Sequence, residues 1–362
     1  MLVTTKKRTP YYDNARYLLI LFVMFAHLFS PDRGTLTNNT FCSSLAFLIN
    51  LFVMPVMFII SGYFSKEKID TKYTKSLIET LLIPLIVFEL IFRTVVSETL
   101  NPTDLFIEPF YILWFLGVLL SCKFLAPFLH KLNLYTVLFV VFIIGFSPHF
   151  EYKYLQWGGV NLVKFLPYFV IGMILQSKKI DLSQFNLKKK QKLISLFLFS
   201  IVFLGLYITN PEFHEVLPEG DDEGKIMGVR LIVLKYGTIE SISIDMLYRT
   251  LSILLSFAFF ALTPNKKTFY TYLGNYTIYI YLLHIFIIHF IIRKGLHVYE
   301  KPSYQWWYYV ALVFCAFLMP PLLSSRIVRG LTKWAISPDL GKTFLGKIIF
   351  YKKTTKKNHN AD

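Results

Sequence analysis

Apolar residues along the chain gather into ten long runs, separated by short stretches rich in Lys, Asn, Pro and Gly. The runs cover approximately Ala15–Ser30, Phe41–Phe64, Ser76–Val96, Phe110–Phe128 and Leu134–Phe146 in the first half of the sequence. Gly158–Gln176, Leu193–Thr209, Met246–Thr263, Phe269–Ile292 and Trp306–Ser325 follow in the second. A membrane-crossing helix needs roughly 20 mostly apolar residues. The pattern therefore predicts an all-α, polytopic integral membrane protein of about ten transmembrane helices. Residues 1–335 are expected to form one transmembrane domain and 336–362 a basic tail. The fifth and seventh runs are the shortest, and both border polar turns.

Sidedness follows from where Lys and Arg fall between the runs. With Lys6, Lys7 and Arg8 in the cytoplasm, 26 of the 38 basic residues lie in or at the edge of inward segments, eight in outward loops and four inside spans. An even number of spans puts both termini on the cytoplasmic side. Composition agrees with this reading: 17% of residues are charged, against about 25% in soluble proteins. A water-soluble enzyme, a disordered chain and a disulfide scaffold are excluded, and Cys42, Cys122 and Cys315 are expected to be packing residues. A net charge of +16 would also suit a nucleic-acid binder, but the one-sided placement accounts for it, so no nucleic-acid partner is expected. The first run carries Arg16 and His27 and has no cleavage site after it, so it reads as a span and not a removable signal. The longest loop, near residues 210–245, holds an acidic patch at 219–223 that reads as a solvated turn or a cation site. No loop is large enough for a soluble catalytic domain.

Chemistry must then come from ionisable residues at membrane depth, which are costly there unless paired or facing a cavity. Arg16 and His27 are eleven residues apart, an angular offset within ~20° of three full helical turns and a rise of roughly 16 Å. Both project from one face of the first helix. Such an arrangement suits a ligand whose anionic end is held by Arg16 and whose reactive end meets His27 as base or nucleophile. The plain alternative is an interfacial arginine and a hydrogen-bonded histidine. Glu89 and Arg93, and likewise Asp245 and Arg249, are spaced i, i+4 and read most simply as salt bridges. Arg93, Lys164 and Arg249 are also placed to line an outward polar cavity for a sugar or an anionic lipid-linked substrate. His284 lies at a depth close to that of His27, and His289 nearer the outer interface as a belt residue. Without a third ligand of similar quality, no metal is expected.

The ordered motifs resemble one family. Arg16 and His27 are similar to the arginine–histidine signature of the acyltransferase-3 membrane O-acyltransferases. Ser61-Gly62-Tyr63-Phe64 resembles the ending of that family's second helix. Leu113-Trp114-Phe115-Leu116, Phe165-Leu166-Pro167-Tyr168-Phe169, Leu273-Gly274-Asn275 and Tyr281-Leu282-Leu283-His284 resemble its fucose 4-O-acetylase-like branch. The sequence departs from the pattern at Lys72-Tyr73-Thr74-Lys75 and at Lys164, where arginines are usual; lysine keeps the charge but loses the planar fork. The appended extracellular esterase-like domain of some relatives is not expected here, so transfer would finish in the membrane unit or with a separate protein.

The resemblance implies transfer of an acyl group, acetyl most often, from cytoplasmic acetyl-CoA or another acyl-CoA to a hydroxyl of a cell-envelope carbohydrate. It implies CoA phosphates held by Arg16, Lys72 and Lys75, and His27 as base or acyl carrier. Glu89 and His284 would assist the chemistry, while Arg93, Trp114, Lys164 and Arg249 would bind the acceptor. The location implied is the bacterial cell membrane. A polysaccharide or lipid-linked sugar exporter of the same superfamily is the rival reading, since buried charges serve transport equally well. The two halves of the chain show no inverted repeat of the kind transporters often carry.

Overall fold

The structure, a computed structural model, describes residues 9–29, 40–97, 111–144, 157–186, 189–214, 238–288 and 306–340. The acidic patch at 219–223, His289 and both chain ends lie outside the described residues. All regular structure among the described residues is helical. In chain order the helices are α1 (Pro10–Phe29), α2 (Thr40–Tyr63), α3 (Thr71–Leu77), α4 (Ile83–Phe92), α5 (Trp114–Leu129), α6 (Leu134–Ile144) and α7 (Trp157–Ser177). They continue with α8 (Lys189–His214), α9 (Thr238–Leu262), α10 (Thr277–Phe286), α11 (Trp306–Leu323) and α12 (Arg326–Ile336).

A helix falls within every one of the ten expected segments, with local departures that have local causes. The third begins earlier than its apolar run because Asp70 caps it, its Oδ1 accepting the Tyr73 amide at 2.5 Å. Its backbone then widens into π turns at Ile78–Leu82 and Arg93–Ser97. The ninth opens as a tight 3₁₀ turn at Leu273–Tyr276 before α10. By length and apolarity alone, three helical segments among the described residues suffice to cross a membrane: Thr40–Tyr63, Lys189–Thr209 and Asp245–Leu262. A fourth is added if Val310–Leu323 and Arg326–Ile336, bent by 72°, count as one span.

The bundle is closest where α2 crosses α7. A Cβ placed on Gly62 would lie 1.9 Å from the Phe169 carbonyl oxygen, and one on Gly172 would lie 2.1 Å from that of Ile59. Hydrogen in place of a side chain lets the two backbones touch, the usual way helices associate in lipid. Around this contact the core is aromatic. Trp114 stacks on Phe165, Phe165 on Phe58, and the edges of Phe58 and Tyr281 meet Phe115. The outside is equally apolar: Leu193, Phe197, Ile201, Leu204 and Ile208 on α8 are exposed, as are Phe314 and Phe317 on α11. Patches of this kind are rare on monomeric soluble proteins and fit helices bathed in lipid.

Candidate active site

The start of α1 is tied to the loop before α10. Asn14 is fully buried, and its Nδ2 donates to the carbonyls of Pro264 and Lys266 at 2.8 and 2.9 Å. Its Oδ1 accepts from the hydroxyls of Thr271 and Thr268 at 2.6 and 3.0 Å. Tyr11, one turn back, donates to the Phe260 carbonyl at 2.9 Å. These bonds set the rotation of α1 and thereby aim Arg16.

Arg16 faces a cavity of about 240 Å³ formed with Ile20 of α1, Met57, Ile60 and Ser61 of α2, Phe115 and Lys123 of α5, and Thr277 and Tyr281 of α10. Its guanidinium lies 3.8 Å from Asp13 and 5.8 Å from the centre of the Phe64 ring. Lys123 is the second basic side chain of this lining. The size is below the ~300–1,000 Å³ usual for ligand pockets.

His27 and His284 come together beyond that cavity, their ring centres 5.4 Å apart and their planes at 44°. Neither lines the cavity, which ends at Ile20 and Tyr281. His284 is fully buried, with Nδ1 at 2.6 Å from the Tyr281 carbonyl and 3.2 Å from that of Ile280. A carbonyl only accepts, so Nδ1 carries the proton and Nε2 of the neutral ring presents a lone pair. That Nε2 has no hydrogen-bond partner among the described residues. Tyr281, whose hydroxyl donates to the Ile112 carbonyl, holds α10 against the start of α5 one turn away.

The remaining candidates are dispersed. Arg93 donates from Nε to Glu89 at 2.6 Å, with Glu89 wholly buried, and Arg249 does the same to Asp245 at 2.6 Å. The i, i+4 salt bridges read from the sequence are therefore formed. The Lys164 ammonium sits 5.7 Å from the centre of the Tyr248 ring, which brings α7 and α9 charges into one neighbourhood. Arg93 opens the π turn that follows α4, next to Phe92, which stacks on Phe286 of α10. Trp114 takes part in the aromatic stack. Lys75 pairs with Glu79 and Asp339 at 3.5 and 3.6 Å, and Lys72 is exposed on the same helix. Neither lysine lines the cavity.

A family model described as an acyltransferase domain matches residues 9–326. The chain belongs to the acyltransferase-3 family. No curated protein and no solved structure matches it. For this acyltransferase-3 member, membership implies acyl transfer as the class of reaction, in a protein built from membrane-associated helices. The match spans α1 through the start of α12 and so includes Arg16, Lys123, His27 and His284.

Sequence reading overlooked two residues of this site. Lys123, in the second half of α5, enters the sequence reading only as one of the charges counted for sidedness; its nearness to Arg16 is set by tertiary packing and leaves no local signal. Asn14 sits two positions before Arg16, but a buried amide with four partners looks in sequence like any polar residue at a helix start.

Proposed function

We propose that the protein is a multi-pass O-acyltransferase of the bacterial cell membrane. It moves an acyl group, acetyl in the first instance, from cytoplasmic acyl-CoA to a hydroxyl of a cell-envelope carbohydrate. The observation that carries this reading is the imidazole pair: His284 fixed by the Tyr281 carbonyl, with His27 at 5.4 Å. In this reading His27, set beside the backbone-held ring of His284, is the group that takes a proton at depth. The acceptor oxygen attacks the thioester carbonyl, the C–S bond breaks, His27 takes the hydroxyl proton, and the thiolate of CoA is reprotonated on release. In the alternative order His27 attacks first and the acceptor then discharges the acyl-imidazole.

The cavity beneath, with Arg16 and Lys123 in its lining, supports entry of the acyl-pantetheine arm, the nucleotide remaining at the mouth. Lys72, exposed at the start of α3, is the candidate for the outlying phosphates; Lys75 serves there only by leaving its carboxylate partners. Arg93, Trp114, Lys164 and Arg249 are proposed to face the acceptor side, with Glu89 setting the Arg93 guanidinium. In this reading both termini are cytoplasmic, helices cross the bilayer in each of the ten apolar segments, and no metal or nucleic acid takes part.

The test is donor dependence. Purified protein in lipid, given acetyl-CoA labelled in the acetyl group, is expected to release free CoA and label an envelope glycan in equal amounts. Movement of a sugar across the membrane with no acyl donor consumed would contradict the proposal and favour an exporter.

A further inference from the structure

Helix α12 is the one strongly two-sided helix near the end of the described chain, and it turns sharply from its predecessor. The eighteen residues of α11 rise ~27 Å at 1.5 Å each, close to a bilayer's hydrocarbon thickness. The 72° bend that follows lays α12 nearly across that direction.

At about 100° per residue the residues of α12 sort into two arcs. Ala335, Val328, Thr332, Ile336 and Arg329 face the protein. On that side the Arg329 guanidinium sits 3.8 Å from the centre of the Tyr276 ring and donates to the Ser324 carbonyl at 2.9 Å. Ser337, just past the helix, meets the Tyr279 hydroxyl at 2.5 Å. The opposite arc is exposed throughout. Ile327, Leu331 and Trp334 are 76%, 70% and 66% exposed and fall within about 60° of one another. Arg326 and Lys333, both exposed, fall within about 20° of each other on the flank of that apolar stripe. Gly330 lies between, with open space above it. The helix contains three cations and no acidic residue.

Three large apolar side chains with two cations along one edge are what a helix in the membrane interface needs: the stripe enters the acyl-chain boundary and the cations meet headgroups. We propose that α12 lies in the plane of the membrane surface and binds the phosphate headgroups of anionic lipids through Arg326 and Lys333. Charge decides the class of lipid, since a zwitterionic headgroup gains nothing from a wholly basic edge. The bonds on the inner arc then join the bound lipid to Tyr276 and Tyr279, at the start of the helix that carries His284.

The full chain is placed in vesicles of phosphatidylcholine with and without phosphatidylglycerol. Brominated acyl chains are expected to quench the fluorescence that Trp334→Phe removes. In native mass spectra the protein is expected to retain phosphatidylglycerol over phosphatidylcholine. The Arg326→Gln, Lys333→Gln double variant is expected to lose that preference by roughly 25-fold, about fivefold per cation, while remaining monodisperse. Soluble sn-glycerol 3-phosphate is expected not to displace the lipid, which separates a membrane site from a free-phosphate site. Equal retention of both lipids by the unaltered protein, displacement by the soluble phosphate, or a Trp334 untouched by the quencher would each overturn the proposal. The last result would mean that protein, such as a second copy, covers this face.

Discussion

Gly172→Ala places a methyl where two backbones already touch. Its carbon would stand 2.1 Å from the Ile59 carbonyl oxygen and 2.7 Å from the Tyr63 amide nitrogen, whereas ordinary contact begins at 3.4 Å. The shortfall at Ile59, 3.4 less 2.1, is 1.3 Å. Neither neighbour is a flexible side-chain end, so α2 and α7 must separate. The same movement loosens Phe165 from Phe58, which are stacked at 5.1 Å, and shifts Met57, Ile60 and Ser61 in the cavity wall. Overpacking of this kind costs about 1–3 kcal/mol. At roughly 2 °C per kcal/mol for a chain of this size, the unfolding midpoint in detergent is expected to fall by about 2–6 °C. Gly205→Ala is the matched control: Gly205 lies on α8 with no atom within 4 Å of an added Cβ. There, alanine is expected to stabilise the helix by about 0.5–1 kcal/mol. Thermal unfolding followed by thiol-reactive dye or circular dichroism reads both variants. If Gly172→Ala unfolds no earlier than Gly205→Ala, the backbone contact between α2 and α7 is refuted.

Asn14→Ala removes four hydrogen bonds at once; the Thr268 and Thr271 hydroxyls keep their mutual bond, so the two carbonyls of Pro264 and Lys266 are the main groups left unpaired and the cost is expected to be about 2–4 kcal/mol, at ~1–3 kcal/mol for each. Asn14→Asp should be no milder, because a carboxylate turns the two amide donors into acceptors facing carbonyls; chemical denaturation in mixed micelles ranks the two. Glu89→Gln leaves Arg93 buried beside a neutral group and is expected to destabilise by about 3–5 kcal/mol, with much of the loss recovered in the Glu89→Gln, Arg93→Met pair. No recovery in the double variant would show that the charges do not answer one another. Burial lowers the pKa of His130 below its ordinary value of 6.5, against a smaller upward pull from Glu67, while its Nε2 bonds the Ser65 hydroxyl at 2.9 Å. A group easier to protonate when unfolded stabilises the fold above the unfolded pKa and loses that contribution as pH falls through it. Stability measured from about pH 8 to about pH 5 is therefore expected to fall less steeply on the acid side in His130→Gln than in the parent.

Much of the helical layout was legible because the apolar runs are long and their separators polar. The same rule hid what happens inside a run. Ile78–Leu82 and Arg93–Ser97 are as apolar or as helix-prone as their neighbours, so nothing marked their π turns. The pairing of Arg93 with Glu89 was readable, since i, i+4 spacing is a property of one helix. Bringing His27 to His284, or Lys123 to Arg16, depends on how α1, α5 and α10 cross. A helix-by-helix reading gives only their depth, and for the histidines depth was enough to bring them together. Arg16 lines the cavity and His27 does not, the lining on α1 and α10 reaching as far as Ile20 and Tyr281. Lys75 lies four residues before Glu79, a pairing readable from one helix, whereas its contact with Asp339 depends on tertiary packing.

His27 is the residue on which the proposed transfer depends. Transfer of labelled acetyl from acetyl-CoA to an envelope carbohydrate, measured on purified His27→Ala protein with unaltered unfolding midpoint, is expected to fall by at least 10²-fold, the usual contribution of a positioned base. A folded His27→Ala protein that still acetylates at close to the parent rate would contradict it.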